Sequence, residues 1–215
     1  YWGLGRGFGF RDTSQDTIAI TISDKAKAKE RIILLSKQMR SDGKVYHHFF
    51  NDGQGEFTKH CDDPLWFILA VSDYIKETGD IHILEEKTHF LDGKEGSILD
   101  HLIAIITFVK NNLTKRNLPI FGRGDWNDTL DYIGGKNGGE SVWGGMFYVA
   151  MINELIDLLN FANKSEYIPD ITNLKNKINK SLEELCWDGE WFVRAFGENH
   201  TKIGYVKLKR KILRK

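Results

Sequence analysis

The sequence predicts an all-α protein of the α/α barrel or toroid type. Apolar residues recur at helical spacing in five separate stretches of the 215-residue chain. Between those stretches the chain is polar, and its glycines, acids and aromatic residues concentrate there. In an α/α toroid the helices form the scaffold and the loops at their ends carry the chemistry. The alternation of apolar helices and polar loops therefore favours this architecture.

The first predicted helix runs from residue 13 to about residue 39. Ile18, Ile22, Ile32 and Leu35 fall on one predicted face of it, and serine, aspartate and lysine fall on the other. Residues 45–59 then read as a loop that contains two adjacent histidines at 47 and 48. Histidine is a common metal ligand, but no further ligand follows at a matching spacing, so we expect no metal site.

Start and stop signals mark the later helices. Asp62 and Asp63 read as N-terminal caps, Pro64 suits a first helical turn, and Gly79 marks the end of the second helix. Three further helices are predicted at residues 98–112, 140–163 and 171–186. Residues 187–194 resemble a turn that leads into a short strand, so a small β element is expected near residues 191–196.

Glycine alternates with bulky or charged residues over residues 1–12. The spacing is not that of a dinucleotide-binding loop, and no strand precedes it. Two interpretations are open for this segment. It is either a flexible terminal loop, or a loop that presents Arg6, Arg11 and Asp12 to a ligand while the glycines keep the backbone out of the way.

Composition and charge exclude several classes of protein. The formal net charge is zero, yet residues 205–215 contain six of the 30 Lys and Arg residues and no acid, so the preceding residues are mildly acidic. This distribution does not predict nucleic-acid binding. No apolar run approaches 18 residues, so no membrane span is expected. Two distant cysteines suit a reducing compartment, and together with the lack of a visible signal peptide they predict a cytoplasmic protein.

Residues 122–128 are the stretch richest in chemistry. They combine two carboxylates, an arginine, the indole of Trp126 and the carboxamide of Asn127, with glycines at 122 and 124 that allow a sharp turn. One interpretation is a polar loop that caps a helix. The other is a sugar site, because such sites pair a flat apolar ring with groups that hydrogen-bond to hydroxyls.

Asp128 is the candidate general acid for cleaving a glycosidic bond. The neighbouring Trp126 could desolvate its carboxyl group and favour the protonated form that a proton donor needs. Asp125 could instead hold the loop together, while Arg6 and Asp12 suit the hydroxyls of a bound sugar. A water nucleophile would need a second carboxylate as base, for which Glu140 or Asp12 is available, whereas a phosphate nucleophile would not. The residues alone leave this choice open.

Three motifs in this order resemble the cellobiose phosphorylase family, which is glycoside hydrolase family 94. The first runs from Trp2 through the glycine-rich segment to Asp16, and the other two are Asp62-Asp63-Pro64-Leu65-Trp66 and Gly124-Asp125-Trp126-Asn127-Asp128. The resemblance covers residues 1 to about 204. It implies an (α/α)6 barrel, with Asp128 as general acid and with Arg6 and Asp12 on the non-reducing sugar.

The resemblance also implies the reaction. Inorganic phosphate attacks a β-linked disaccharide or oligosaccharide with inversion and releases an α-sugar 1-phosphate, in an enzyme that is a homodimer and needs no metal or organic cofactor. The runner-up hypotheses are an inverting α/α-barrel hydrolase that uses water, and a non-catalytic sugar-binding module.

The chain departs from the family in length and in its last residues. Family members are several times longer, and their phosphate-contacting histidine and Thr-Gly segments have no counterpart here. We therefore expect residues 1–204 to be the N-terminal portion of a catalytic barrel domain that is inactive by itself. Residues 205–215 are expected to be a basic tail foreign to that fold, as a frameshifted or wrongly assigned C-terminus would produce.

Overall fold

Helices dominate the structure, as the sequence predicts. The structure is a computed structural model that describes residues 7–135 and 138–204; Arg6 and the basic tail lie outside the described residues. The chain divides into two units. Among the described residues, unit 1 comprises 7–58, 63–108 and 153–168, and unit 2 comprises 59–62, 109–135, 138–152 and 169–204.

Unit 1 is built on three helices and parts of two others. They are α1 (Phe10–Ser23), α2 (Lys25–Ser36) and α3 (Leu65–Thr78), with most of α4 (Ile98–Asn111) and the second half of α5 (Val142–Phe161). Helix α1 packs against both α2 and α3. The bounds of α3, α4 and α5 confirm the predicted second, third and fourth helices to within a few residues.

The single long helix predicted from residue 13 is wrong, because the chain breaks at Asp24. This residue has φ −147° and ψ 88°, which no helix accommodates, and its carboxylate accepts a hydrogen bond of 2.9 Å from the backbone N–H of Lys27. Asp24 is therefore the N-cap of α2. An aspartate within a helical sequence pattern can lie on the solvated face of the helix or can cap a new helix. Asp24 caps a new helix.

The predicted buried face of α1 is also wrong. Ile22 is 75% exposed, whereas Ser14, Thr17 and Thr21 are buried. Each of these three hydroxyls donates to the carbonyl four residues earlier, at 2.7–2.8 Å. A hydroxyl that is satisfied within its own helix can be buried without a large desolvation penalty. The core therefore accepts small polar side chains on α1.

The ends of α3 agree with the sequence, but the role of one acid does not. Gly79 ends the helix with φ +72°, in the left-handed conformation that glycine adopts without strain. Pro64 precedes the first helical residue, and no side chain caps this end. Asp63 instead accepts a hydrogen bond of 2.8 Å from Nδ1 of His47. Its carboxylate fixes a histidine rather than a helix start.

Short antiparallel strands complete unit 1. Strands β1 (Phe8–Gly9), β2 (His48–Phe49) and β3 (Gly55–Glu56) form a sheet in that order, so the segment predicted as loop at 45–59 contains a hairpin. Strands β4 (Lys87–His89) and β5 (Glu95–Ser97) pair with each other.

Unit 2 contains the remaining elements. Helix α6 (Ile168–Ser181) lies almost entirely in this unit and continues as a π-helical turn (Leu182–Cys186). Strands β6 (Glu140–Ser141), β7 (Ala195–Phe196) and β8 (Lys202–Ile203) form a sheet in that order, which confirms the β element expected near 191–196. Cys61 and Cys186 are buried and are not joined in a disulfide, and burial raises the pKa of Cys186 to about 11.

Helix α5 is the one helix in the described ranges that is long and apolar enough to cross a membrane. It has 20 residues, and half of its most apolar window is buried. Core helices of soluble proteins pass the same test of length and composition. An uninterrupted apolar run of about 18 residues is a stricter criterion than this one. The absence of a membrane span stays a prediction.

Candidate active site

The motif at residues 122–128 forms a tight loop in unit 2, held against residues 59–61. The backbone N–H of Arg123 donates to the carbonyl of Lys59 at 3.1 Å, and that of Cys61 donates to the carbonyl of Gly124 at 3.0 Å. Gly122 has φ +63°, and a Cβ there would lie 2.1 Å from the Lys59 carbonyl oxygen. The predicted turn is confirmed. Glycine is required at position 122 because the backbone of Lys59 in the neighbouring segment lies so close to it.

Asp125 is the buried anchor of the loop. Its side chain is completely inaccessible, and Oδ1 accepts from the backbone N–H of Asn127 at 3.1 Å and from Nη2 of Arg194 at 2.7 Å. Its Oδ2 accepts from the hydroxyl of Ser141 at 2.6 Å. A buried carboxylate persists only when charge and hydrogen bonds compensate it, and here both are present. The predicted loop-holding role is therefore realised through side chains as well as backbone.

Asp128 has the opposite environment. It begins a short 3-10 helix (Asp128–Leu130), and its side chain is 57% exposed. Nε2 of the nearly buried His60 lies 3.5 Å from its Oδ1. Two carboxylates three residues apart thus differ completely in accessibility, and only the exposed one can meet a substrate.

Trp126 does not enclose Asp128 in this structure. The indole is 53% exposed, and the carboxylate of Asp128 is open as well, so the desolvated pocket expected from the sequence is not formed by the described residues. An exposed indole beside an accessible carboxylic acid still offers a stacking face for a sugar ring.

Asn127 acts first as a local cap. Its Oδ1 accepts hydrogen bonds from the backbone N–H of Thr129 at 3.1 Å and from the hydroxyl of Thr129 at 2.7 Å. The carboxamide oxygen therefore stabilises the turn that carries Asp128. The polar cap predicted as one interpretation of the motif is therefore present, and the sugar site stays a prediction.

Glu140 is poorly suited to the role of catalytic base. It is buried in β6, where it pairs with the guanidinium of Arg116 and accepts a hydrogen bond of 2.6 Å from the hydroxyl of Thr114. Burial alone would raise the pKa of Glu140, but these hydrogen bonds outweigh burial and hold the pKa below its ordinary value. Such a carboxylate is a weak base.

A cleft of about 270 Å³ lies beside this pair rather than beside Asp128. Arg116, Glu140, Glu198 and His200 are among its lining residues, and no lining residue belongs to the motif. The carboxylate of Asp128 therefore does not line this cleft.

Arg11 and Asp12 lie in unit 1, in the first turn of α1. The expectation that they sit on a glycine-rich loop is wrong, because the helix begins at Phe10. Arg11 is 7% exposed, whereas Asp12 is exposed and folds back over Gly9, where a Cβ would lie 2.4 Å from its Oδ2. Asp12 is also among the acids whose charge acts on His48, whose pKa is lowered chiefly by burial and by His47. Arg6, predicted with them, lies outside the described residues.

Among the described residues, three side chains near the motif were not predicted from the sequence: His60, Ser141 and Arg194. His60 precedes the motif by more than 60 residues, and Arg194 follows Asp125 by 69 residues. Ser141 carries a local signal, since its hydroxyl accepts from the backbone N–H of Gly144 at 2.8 Å at the start of α5. That capping pattern could have been found, but its second bond, to Asp125, could not.

Comparison with known proteins identifies relatives of the chain. Solabiose phosphorylase of Paenibacillus borealis is 30% identical over 210 residues, covering 94% of this chain and 26% of that protein. N,N'-diacetylchitobiose phosphorylase of Vibrio proteolyticus is 26% identical over 226 residues, covering 92% of this chain and 28% of that protein. The chain thus spans about a quarter of the length of these relatives.

The fold and the family agree. A rhamnosidase from Klebsiella oxytoca with rhamnose bound superposes with a TM-score of 0.61 at 11% identity, over 90% of this chain and 37% of that one. This likeness concerns the fold alone, and it confirms the predicted partial (α/α)6 barrel. The family model for the catalytic domain of the glycosyl hydrolase 94 superfamily matches residues 1–211 of this chain. The chain belongs to the glycosyl hydrolase 94 superfamily, within its catalytic domain.

Proposed function

We propose that these residues belong to an enzyme that cleaves a β-linked disaccharide or oligosaccharide with inorganic phosphate. The observation that carries the proposal is the exposed carboxyl group of Asp128, on a loop anchored by the buried Asp125. The printed names of two relatives, a solabiose and a chitobiose phosphorylase, support this reaction class.

Asp128 is the general acid of the proposed reaction. Its carboxylic acid donates a proton to the glycosidic oxygen while a phosphate oxygen attacks the anomeric carbon from the opposite face of the ring. The bond from the anomeric carbon to the leaving oxygen breaks, and the acceptor departs with a new hydroxyl. Inversion at a β-glycoside gives an α-sugar 1-phosphate.

Phosphate is favoured over water as the nucleophile because Glu140 is poorly suited to act as a base. A hydrolase with inversion needs a second carboxylate to activate water, and Glu140 is committed to Arg116 and Thr114. Phosphate carries its own negative charge and needs no such base. Asp12, the other candidate base, is instead assigned with Arg6 and Arg11 to the hydroxyls of the sugar.

The remaining assignments complete the proposal. Trp126 stacks on a sugar ring, and Asn127 contributes its amide to sugar hydroxyls. The enzyme uses phosphate as co-substrate without a metal or organic cofactor, works in the cytoplasm as a homodimer, and binds neither nucleic acid nor membrane. Cellobiose is one candidate among the β-linked substrates.

The test is Asp128→Asn in the full-length protein that contains these residues. We expect the formation of sugar 1-phosphate to fall by roughly 10²–10⁴-fold, because the proton donor is lost. Asp131→Asn, three residues later in the same turn, is the matched control and should keep the parent activity. Near-normal turnover by the Asp128→Asn variant would contradict the proposal.

Phosphate dependence separates the alternatives. Release of free reducing sugar without phosphate would instead identify a hydrolase. Saccharide binding without any turnover, measured as a change in tryptophan fluorescence, would instead identify a sugar-binding module.

A further inference from the structure

Arg194 contacts Asp125, which anchors the loop at residues 122–128, although the two residues are 69 positions apart in the sequence. This loop, which carries Asp128, is called the acid loop below. Arg194 follows a turn closed by the bridge between Trp187 and Phe192, and its backbone N–H donates to the carbonyl of Ile203 at 2.8 Å. From this fixed backbone its Nη2 lies 2.7 Å from Oδ1 of Asp125. The guanidinium carbon lies 5.8 Å from the centroid of the Phe121 ring, which precedes the loop.

Asp125 passes this restraint on to the loop. The oxygen that accepts from Arg194 also accepts from the backbone N–H of Asn127, the residue before Asp128. The second oxygen is bound to Ser141 at the start of α5. The carboxylate therefore connects the strand segment of Arg194, the beginning of a 20-residue helix and the backbone of the acid loop.

Arg194 is less completely hydrogen-bonded than Arg116. Nε of Arg116 lies within 3.2 Å of both oxygens of Glu140, and its guanidinium stacks 4.3 Å from the centroid of the Phe196 ring. Nη1 of Arg194, in contrast, is buried and has no hydrogen-bond partner among the described residues. A buried unsatisfied donor is unfavourable.

The pairing of Nη2 with Asp125 holds the buried carboxylate in place, although Nη1 has no partner among the described residues. Without a cation beside it, a completely buried carboxylate is strongly disfavoured, and the loop would open to hydrate it. Asp128, three residues away, would then move from the glycosidic oxygen. A displacement of about 1 Å at a catalytic group can lower the rate by roughly 10²-fold.

We propose that Arg194 is a positioning residue that holds Asp128 in place through Asp125. The role rests on the proposed function insofar as Asp128 is the proton donor. The structural half, the anchoring of the loop by Arg194, stands without it.

The first experiment measures the loop directly in this chain. Amide hydrogen exchange of peptides covering residues 122–130 should become faster in Arg194→Met, while peptides from α5 keep their rates. Arg116→Met is the matched control, since it also removes an arginine from a buried carboxylate in unit 2 and should leave the loop peptides unchanged. Unchanged exchange of the loop in Arg194→Met overturns the anchoring role.

The second experiment measures turnover in the full-length protein. Arg194→Met should lower kcat by roughly 10–10²-fold, with KM for sugar and phosphate unchanged, because the acid and not the substrate is displaced. Arg194→Lys should restore part of kcat, and added guanidinium at concentrations below those that denature should restore part of it in Arg194→Met. Arg116→Met should keep kcat per folded molecule.

The outcomes distinguish the two proposals. A parent enzyme that produces sugar 1-phosphate, together with an Arg194→Met variant of equal kcat, rejects the positioning role and leaves the proposed function intact. A parent that produces none rejects the proposed function, and the exchange experiment then decides the anchoring role alone. If Arg194→Met does not fold, Arg194→Lys is subjected to the same measurements.

Discussion

Replacing Gly122 with alanine tests how the acid loop is held. Gly122 combines a left-handed φ of +63° with contact to a backbone atom, since a Cβ would lie 2.1 Å from the carbonyl oxygen of Lys59. Side chains do not approach a backbone oxygen so closely, so the loop and residues 59–61 must separate. The separation breaks the hydrogen bonds from Arg123 to Lys59 and from Cys61 to Gly124.

The expected loss of stability follows from these two effects. A left-handed conformation costs a non-glycine residue about 1–2 kcal/mol. Two backbone hydrogen bonds contribute about 0.5–1.5 kcal/mol each. Together with residual strain the free energy of unfolding should fall by about 3–5 kcal/mol, which for a chain of this size lowers Tm by roughly 6–20 °C.

Gly79→Ala is the control for this measurement. Gly79 has a similar φ of +72°, but no atom lies within 4 Å of the position its Cβ would take. Its substitution should therefore cost only the conformational strain of about 1–2 kcal/mol. Both variants are compared with the parent by thermal unfolding followed by circular dichroism. Equal losses in the two variants would refute the close packing of residues 59–61 against the loop.

Two further predictions concern buried polar groups of unit 2. Glu140→Gln should lower the free energy of unfolding at pH 7 by about 3 kcal/mol, because it leaves Arg116 without its carboxylate. Since hydrogen bonds to Arg116 and Thr114 outweigh burial and lower the pKa of Glu140 from 4.5, the stabilisation is present above pH 4.5 and is lost as the pH falls through the folded-state pKa. The difference between parent and variant in urea unfolding should therefore shrink from pH 7 to pH 3, and a constant difference would contradict the pairing. Tyr148→Phe should cost about 1–3 kcal/mol in the same assay, because it removes the buried hydrogen bond of 2.7 Å that the hydroxyl of Tyr148 donates to the carbonyl of Cys61. Tyr132→Phe, at a side chain 91% exposed, should be nearly neutral; equal effects would contradict the buried bond.

Local signals explain which helices the sequence predicts correctly. Pro64 and Gly79 bracket α3, and their effects depend only on backbone conformation within one turn. The break at Asp24 is also local, but its signal is weaker, because an aspartate is equally at home on an exposed helix face. The buried hydroxyl face of α1 could not be predicted from hydropathy, since hydropathy counts threonine and serine as polar even when their own helix satisfies them.

In the candidate site, too, the features with local signals could be predicted and the long-range contacts could not. The turn at Gly122 and the loop-holding role of Asp125 follow from residue types within seven positions. The partners of Asp125 do not, because Ser141 and Arg194 are 16 and 69 residues away and contact it only through the tertiary structure of unit 2. A single sequence gives no register for such contacts.

Burial of Asp125 and exposure of Asp128 are physically connected. The attraction of Arg194 and the hydrogen bond of Ser141 compensate a buried carboxylate only in a narrow geometry, so the backbone at residue 125 has little freedom. Asn127 extends this restraint by donating its N–H to Asp125 and by capping the turn of Asp128 with its side chain. Asp128 is 57% exposed and lies 3.5 Å from Nε2 of His60, so its carboxylate is less enclosed than that of Asp125. If Asp128 is the proton donor that we propose, the buried neighbour Asp125 contributes to the precise placement that proton donation requires.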